Sequence, residues 1–254
     1  KVPMDSEITK LLEQLKLRGM SATIEEISAS VERDGEPPLT LLKKLLQEEW
    51  RYRQERSMHN RIQHAKLPTA WSIESFPFEQ QPNVSPHQIR SLSGLDFIRR
   101  CENIVLIGPP GTGKSGLATG LLREALINGY RGRFYNAQDL IDELYASLAD
   151  QSSARLLKRL ANYDLIVIDE LGYLNLKPEQ VNAFFKLMEM RYNRKPTILT
   201  TNLEYEDWYE LFEKKTLVDA LLDRLRHHCT TIHIKGPSLR RPSEDKQESK
   251  PPDG

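Results

Sequence analysis

The chain has 254 residues, enough for one large domain or for a core domain with a smaller companion. Lys+Arg and Asp+Glu both number 36, so overall charge gives no argument for a nucleic-acid partner, and any basic surface must be local. A charged fraction of 28%, a mean hydropathy of -0.56 and apolar runs far below the ~20 residues of a membrane helix exclude a membrane span. Two isolated cysteines, Cys101 and Cys229, exclude a disulfide scaffold, and with no secretory signal visible a cytoplasmic compartment is expected. Opening on Lys1 rather than Met leaves room for residues upstream.

Residues 7–18 carry Ile8, Leu11, Leu12 and Leu15 at helical spacing, with Gly19 as a natural stop. A second helix is expected with Ile24, Ile27 and Val31 on one face, opened by a Thr23-x-x-Glu26 capping box and broken at Gly35-Glu-Pro-Pro38. From Leu39 a long helix places Leu41, Leu42, Leu45 and Leu46 on one face, then turns polar and basic until Pro68 ends it. Between 43 and 66, seven Lys/Arg stand against three Glu, which makes Arg51, Arg53 and Arg56 candidate DNA contacts, with Trp50 and Tyr52 nearby. A solvated helix face accounts for the same residues equally well. Residues 1–67 are read as a helical domain for DNA or partner binding.

Residues 68–84, rich in Pro, Phe, Gln and Ser, read as an extended linker. Ser85-Pro86 then caps a helix with Ile89, Leu92 and Phe97 inward. The apolar strand 103–107 runs into Gly108-Pro109-Pro110-Gly111-Thr112-Gly113-Lys114-Ser115, and the helix that follows is closed by Gly129. A short strand at 133–135, two helices near 137–148 and 154–160, and the buried strand 165–168 come next. Pro178 opens a helix with Val181, Phe184, Phe185, Met188 and Tyr192 on one side, and a strand follows at 197–200. Short helices around Trp208 and over 217–226 lead to a last strand at 230–234. Strands alternating with helices give an α/β domain over 85–235, a parallel sheet between helices with its ligand at the carboxyl ends of the strands. The stretch 236–254 has almost nothing apolar and is expected to be a disordered tail.

The pattern G-x-x-x-x-G-K-[ST] at 108–115 is a phosphate-binding loop: backbone N–H groups and the positive end of the next helix meet a phosphate chain. Such a loop needs an acidic partner, and Leu165-Ile-Val-Ile-Asp169-Glu170 supplies it. Asp169 and Ser115 would hold magnesium, Lys114 would bridge the β- and γ-phosphates of ATP, and Glu170 would polarise the attacking water. Two adjacent acids argue against a small-metabolite kinase, where one acid commonly suffices. Asn202, at the end of its strand, is placed to hydrogen-bond both the γ-phosphate and that water. Arg224, in Leu222-Asp223-Arg224-Leu225-Arg226, can serve a neighbouring subunit's γ-phosphate, or else pair with Asp219 or Asp223 on its own helix. His227-His228-Cys229 is not read as a metal site, because three consecutive residues cannot converge on one ion.

Taken together, GPPGTGKS, LIVIDELGYL, TILTTNLEYEDW, ALLDRLRHHC and IHIKGPSLRR resemble the IstB-type transposition helper ATPases. These are relatives of the DnaC/DnaI helicase loaders in the initiator clade of AAA+ proteins. The resemblance covers nearly the whole chain up to about Arg241 and implies an AAA+ core with a five-stranded parallel sheet. It also implies an extra helix between the second and third strands that steers assembly into a spiral on DNA, which makes Arg155, Lys158 and Arg159 DNA-contact candidates. By the same resemblance, Lys114 and Ser115 match Walker A, Asp169 and Glu170 Walker B, Asn202 sensor 1 and Arg224 the arginine finger. Arg240 matches the end of the family's G-x-S-x-R motif, and the usual helical lid is not expected after the last strand. Thr201 departs from the family, where Ser more often precedes the Asn. Phe76 and Phe78 are candidates for the adenine pocket.

The implied function is an ATPase that multimerises on duplex DNA with ATP and magnesium, remodels the DNA, and recruits or activates a cognate transposase. Hydrolysis would then disassemble the complex. A DnaC/DnaI-like helicase loader is the second reading, and a monomeric P-loop phosphotransferase indifferent to DNA is the third. The Trp208 segment, the run 220–228 and the absence of an N-terminal Cys/His zinc cluster favour the first.

Overall fold

The computed structural model describes residues 6–149, 151–174 and 176–240, and the chain divides into two compact units, Lys1–Gln63 and His64–Gly254. The first unit is built from α1 (Ser6–Gln14), α2 (Arg18–Arg33) and α3 (Pro38–Ala65). Leu12, Met20 and Leu45 form its core, with Leu17, Ile24, Ile27 and Leu41 packed around them.

Three local expectations change here. Gly19 does not stop a helix; it lies in the first turn of α2, where a methyl group would come within 2.7 Å of the Glu48 carbonyl and 2.8 Å of Tyr52 Cβ. The glycine therefore marks a close crossing of α2 and α3. That crossing lets the Glu49 carboxylate accept the otherwise orphaned N–H groups of Gly19 (2.7 Å) and Met20 (3.2 Å). Thr23, read as a cap, is inside α2, and its hydroxyl donates back to the Gly19 carbonyl at 3.0 Å. The single leucine face expected on α3 splits: Leu45 is buried, whereas Leu42 and Leu46 are about half exposed, in line with Leu39 and Trp50.

In the second unit, α4 (Pro86–Ser93) begins as its sequence demands, with Ser85 Oγ accepting the Gln88 N–H at 3.3 Å. It ends at Ser93, and Leu95 at φ 62° turns the chain into the separate α5 (Asp96–Arg99), from which Phe97 is buried. Then follow β1 (Asn103–Ile107), α6 (Lys114–Ile127), β2 (Gly132–Asn136), α7 (Ala137–Ala149), α8 (Ser153–Ala161) and β3 (Leu165–Asp169). The chain continues through α9 (Pro178–Arg191), β4 (Thr197–Thr201), α10 (Trp208–Phe212), α11 (Lys215–His227) and β5 (Cys229–His233). All strand pairs are parallel, in the order β2-β3-β4-β1-β5. Asn136 stands opposite Asp169 and Ile107 opposite Thr201, so these strands finish on one edge of the sheet.

The continuous apolar strands are buried on both faces, as parallel strands between helices must be. Val105, Ile107, Ile166, Ile168 and Leu199 share one core with residues of α7 to α11, including the fully buried Phe184, Trp208 and Phe212. α6 contacts β1 to β4 without entering that core and covers the other face. Arg191, at the end of α9, is 1% exposed. Its guanidinium donates to the carbonyls of Leu160 and Tyr163 (each 2.9 Å), to Pro196 and to Thr197 Oγ1 (3.0 Å), tying α8, α9 and β4 together. Burial lowers its pKa to about 9, so the side chain is still a cation at neutral pH.

Two segments read as irregular are integral to this unit. Residues 68–84 are not an extended linker: Ile73, Phe76, Gln81 and Val84 are buried. Of the stretch 236–254 expected to be disordered, residues 236–240 are ordered, with Leu239 N–H donating to the Gly111 carbonyl at 2.8 Å, and 241–254 lie outside the described residues. Among the described residues no helix is long and apolar enough to cross a membrane.

Candidate active site

β1 delivers the chain to the sheet edge, and the loop 108–113 turns it into α6. Gly111 (φ 81°) and Gly113 (φ 97°) adopt left-handed conformations, and the Thr112 hydroxyl closes the turn on the Pro109 carbonyl at 2.9 Å. The loop borders a cleft of about 380 Å³ whose walls include Pro110, Gly111, Gly113, Lys114, Ser115, Asp169, Glu170, Asn202 and Arg240. Gly108, Pro109 and Thr112 shape the loop from behind and do not line the cleft.

Ser115 Oγ donates to Asp169 Oδ1 at 2.8 Å, joining the start of α6 to the end of β3. Thr200 Oγ1 donates to the same carboxylate oxygen and accepts the Glu170 N–H at 3.0 Å. Asn136 Nδ2 donates to Glu170 Oε2 at 2.9 Å, reaching across the β2–β3 register in which Asn136 faces Asp169. Glu170 itself sits at φ 64°, a left-handed conformation that is uncommon for a side-chain-bearing residue and turns it off the strand. Asn202 Oδ1 is buried without a hydrogen-bond partner.

The electrostatics suit a ligand with an anionic part and a bound cation. Burial pushes the Asp169 carboxyl up, against the hydrogen bonds from Thr200 and Ser115 that pull it down. Burial also lowers the Lys114 pKa, against Asp169 and Glu170, and the Arg240 guanidinium lowers it further. The Lys114 ammonium donates to the Gly108 (2.7 Å) and Pro109 (2.8 Å) carbonyls, partners that a phosphate group outcompetes. An alcohol and a carboxylate are hard oxygen donors of the kind magnesium prefers. The residues present fit a magnesium-bound polyphosphate.

Not every candidate converges here. Arg224 is near the amino edge of the sheet, beside Asn103 and Thr197, 3.6 Å from Glu189 and 5.7 Å above the Tyr192 ring. Its ion partner is thus on α9, and neither Asp219 nor Asp223 pairs with it. Phe76 lies behind Gly113, and neither Phe76 nor Phe78 lines the cleft; Trp71, Pro68, Thr69 and Leu239 do. Of the basic candidates, Arg51 pairs with Glu48 and Glu55, Arg53 with Glu49 at 2.7 Å and Arg159 with Glu143 at 2.6 Å, while Arg56, Arg155 and Lys158 are exposed.

Sequence reasoning missed Asn136, Thr200 and Trp71. A polar residue closing β2 was a visible signal for Asn136 once β2 and β3 are set side by side. Thr200 and Trp71 carried no such signal.

A match to the family described as IstB-like ATP binding protein spans residues 10–248. The insertion sequence IS21 ATP-binding protein of Pseudomonas aeruginosa is 37% identical over 92% of this chain and 88% of its own length. The IS232 ATP-binding protein of Bacillus thuringiensis subsp. berliner is 34% identical over 92% and 94%. Among solved structures, the DnaC helicase loader matches with a TM-score of 0.52 at 25% identity, over 59% of this chain and 88% of that one. The replication initiator DnaA, bound to AMPPCP and single-stranded DNA, matches with a TM-score of 0.56 at 19% identity, over 66% and 51%. The sheet and its flanking helices are thus an AAA+ core, and the chain belongs to the IstB-like ATP binding proteins.

Proposed function

We propose that this chain is an ATP-hydrolysing, DNA-binding transposition helper. It would oligomerise with ATP on duplex target DNA, remodel that DNA and recruit or activate a cognate transposase, and hydrolysis would release the assembly. The observation that carries the catalytic part is the hydrogen bond from Ser115 to Asp169 beside Lys114, with Glu170 oriented by Asn136. Ser115 and Asp169 are the residues that would hold magnesium, whose chemistry there is to neutralise charge on the β- and γ-phosphates. Lys114 exchanges its two loop carbonyls for phosphate oxygens. Glu170 accepts a proton from water as the water oxygen attacks the γ-phosphorus, and the bond to the β-phosphate oxygen breaks to give ADP and phosphate. The Asn202 side chain orients the water and the γ-phosphate.

Arg224 lies away from its own cleft, which supports its action on the ATP of an adjacent subunit, and Arg240 serves the phosphates of its own subunit. The insertion-sequence relatives favour transposition over helicase loading, for which only the likeness of fold speaks. Residues 1–67 would contact DNA or the transposase, with Arg51, Arg53 and Arg56 as basic groups, and Arg155, Lys158 and Arg159 would meet DNA from the ATPase core; the protein would work in the bacterial cytoplasm. The test mixes Arg224→Ala with Lys114→Ala protein on duplex DNA. Each alone is inactive, and mixed assemblies recover part of the hydrolysis; no recovery at any ratio refutes the shared site. DNA affinity that requires ATP and falls steeply with salt supports DNA binding, and salt-insensitive, ATP-independent binding refutes it.

A further inference from the structure

Gly113, Gly116 and Gly120 follow one another along one side of α6 and its cap. A methyl group on Gly116 would meet the Trp71 ring at 2.6 Å (Cε3), 2.7 Å (Cδ2) and 2.9 Å (Cζ3). On Gly113 it would meet Phe76 Cε2 at 2.9 Å and Leu239 Cδ1 at 3.0 Å, and on Gly120 Ile73 Cγ1 at 2.9 Å. The helix has no side chains along this track, so residues 71–76 lie directly on its backbone. Phe76 and Ile73 are 3% and 5% exposed and do not line the cleft. Trp71 is half-buried and lines the cleft beside Lys114, Ser115 and Gly116.

Asp169, Glu170 and Asn202 mark the γ-phosphate end of the site. A triphosphate anchored there and held by the amides of 111–115 runs outward over the first turn of α6, toward Gly116. The part of the nucleotide beyond the phosphates therefore arrives at the indole. We propose that Trp71 is the nucleobase-contacting side chain of this site, a π platform seated on Gly116 in a cleft that the apolar Leu239 also lines. This rests on the ATP reading above and places the base on Trp71, not on Phe76 or Phe78. Stacking on an indole tolerates any base, so it supports affinity more than selectivity.

The test compares binding of ATP and of inorganic tripolyphosphate, each with magnesium, by calorimetry on the full chain and its Trp71→Ala and Trp71→Phe variants. Loss of one base-stacking contact weakens ATP binding about tenfold in Trp71→Ala and less in Trp71→Phe. Tripolyphosphate affinity is unchanged in both, which also shows that the loop is intact. The emission component lost in Trp71→Phe is quenched by ATP and not by tripolyphosphate. Equal weakening of both ligands, or ATP binding indifferent to Trp71, overturns this proposal alone. A wild-type chain that binds neither ligand overturns the ATP reading and this one with it.

Discussion

Replacing Arg191 with methionine keeps an unbranched, flexible side chain in the space at the end of α9 but removes every donor. The carbonyls of Leu160, Tyr163 and Pro196 then lose a charged partner inside a unit where Arg191 is 1% exposed. The Leu160 carbonyl keeps the Tyr163 N–H at 3.4 Å, and the other two, left unpaired, cost about 1–3 kcal/mol each. Against this total of about 2–6 kcal/mol stands part of the desolvation cost of a guanidinium, no longer incurred. A net loss of about 2 kcal/mol is expected, a sizeable part of the ~5–15 kcal/mol that holds a domain together. For a unit of this size it corresponds to a fall in Tm of roughly 4–8 °C. Trp208, fully buried in the adjoining core, reports the melt once Trp50 and Trp71 are replaced by phenylalanine. A Tm within a degree of the parent, or above it, would show that desolvation outweighs the hydrogen bonds and would refute the reasoning.

Glu49 caps α2. Burial pushes its carboxyl up, but hydrogen bonds from Arg53 and the Met20 and Gly19 amides outweigh this and hold it below the ordinary 4.5. Its stabilising contribution is therefore complete above pH 4.5 and is lost as pH falls through the lowered value. Glu49→Gln should weaken the N-terminal helices by about 1–2 kcal/mol at pH 7 and by nothing in acid, read by circular dichroism against pH. For Asp169 the sign is opposite: its carboxyl is raised by burial, so its charge opposes folding above that raised pKa and the penalty disappears as pH falls toward 3.8. Asp169→Asn should raise the Tm of the nucleotide-free protein at pH 7 while abolishing magnesium-dependent hydrolysis; a lowered Tm would contradict the assignment. Asn136→Ala frees the Glu170 carboxylate and should cut kcat about tenfold with ATP affinity unchanged. A change in KM with constant kcat would argue that Asn136 acts on binding alone.

Much of the AAA+ core is legible because its signals are local. Four apolar residues before Gly108, and four before Asp169, are too short for a buried helix and fit strands buried on both faces, and the loop between strand and helix carries its own turn chemistry. The meeting of Ser115 and Asp169 followed from those two strands ending on one edge. What stayed hidden depends on neighbours. Thr200 reaches Asp169 only because β4 lies beside β3, an adjacency that no stretch of sequence states. Gly19 looked like a helix stop because a glycine required by a close helix crossing and one required by a turn are the same letter. The run 68–84 hides its role for a similar reason: with no periodicity of its own it resembles a tether, although its partner is the glycine track on α6, some forty residues away.

That track costs α6 something in its own right. A glycine inside a helix is about 1 kcal/mol less favourable than alanine, and α6 holds Gly116 and Gly120 within its span. The helix that carries the lysine of the phosphate loop is thus a poor helix by itself and keeps its shape under the cover of the buried Ile73 and Phe76. A fragment trimmed to start at Pro86 would retain every strand and every acidic residue of the site, yet would leave a weak helix with a bare groove. A fragment meant to keep that groove covered therefore has to include residues 71–76 as well as the strands.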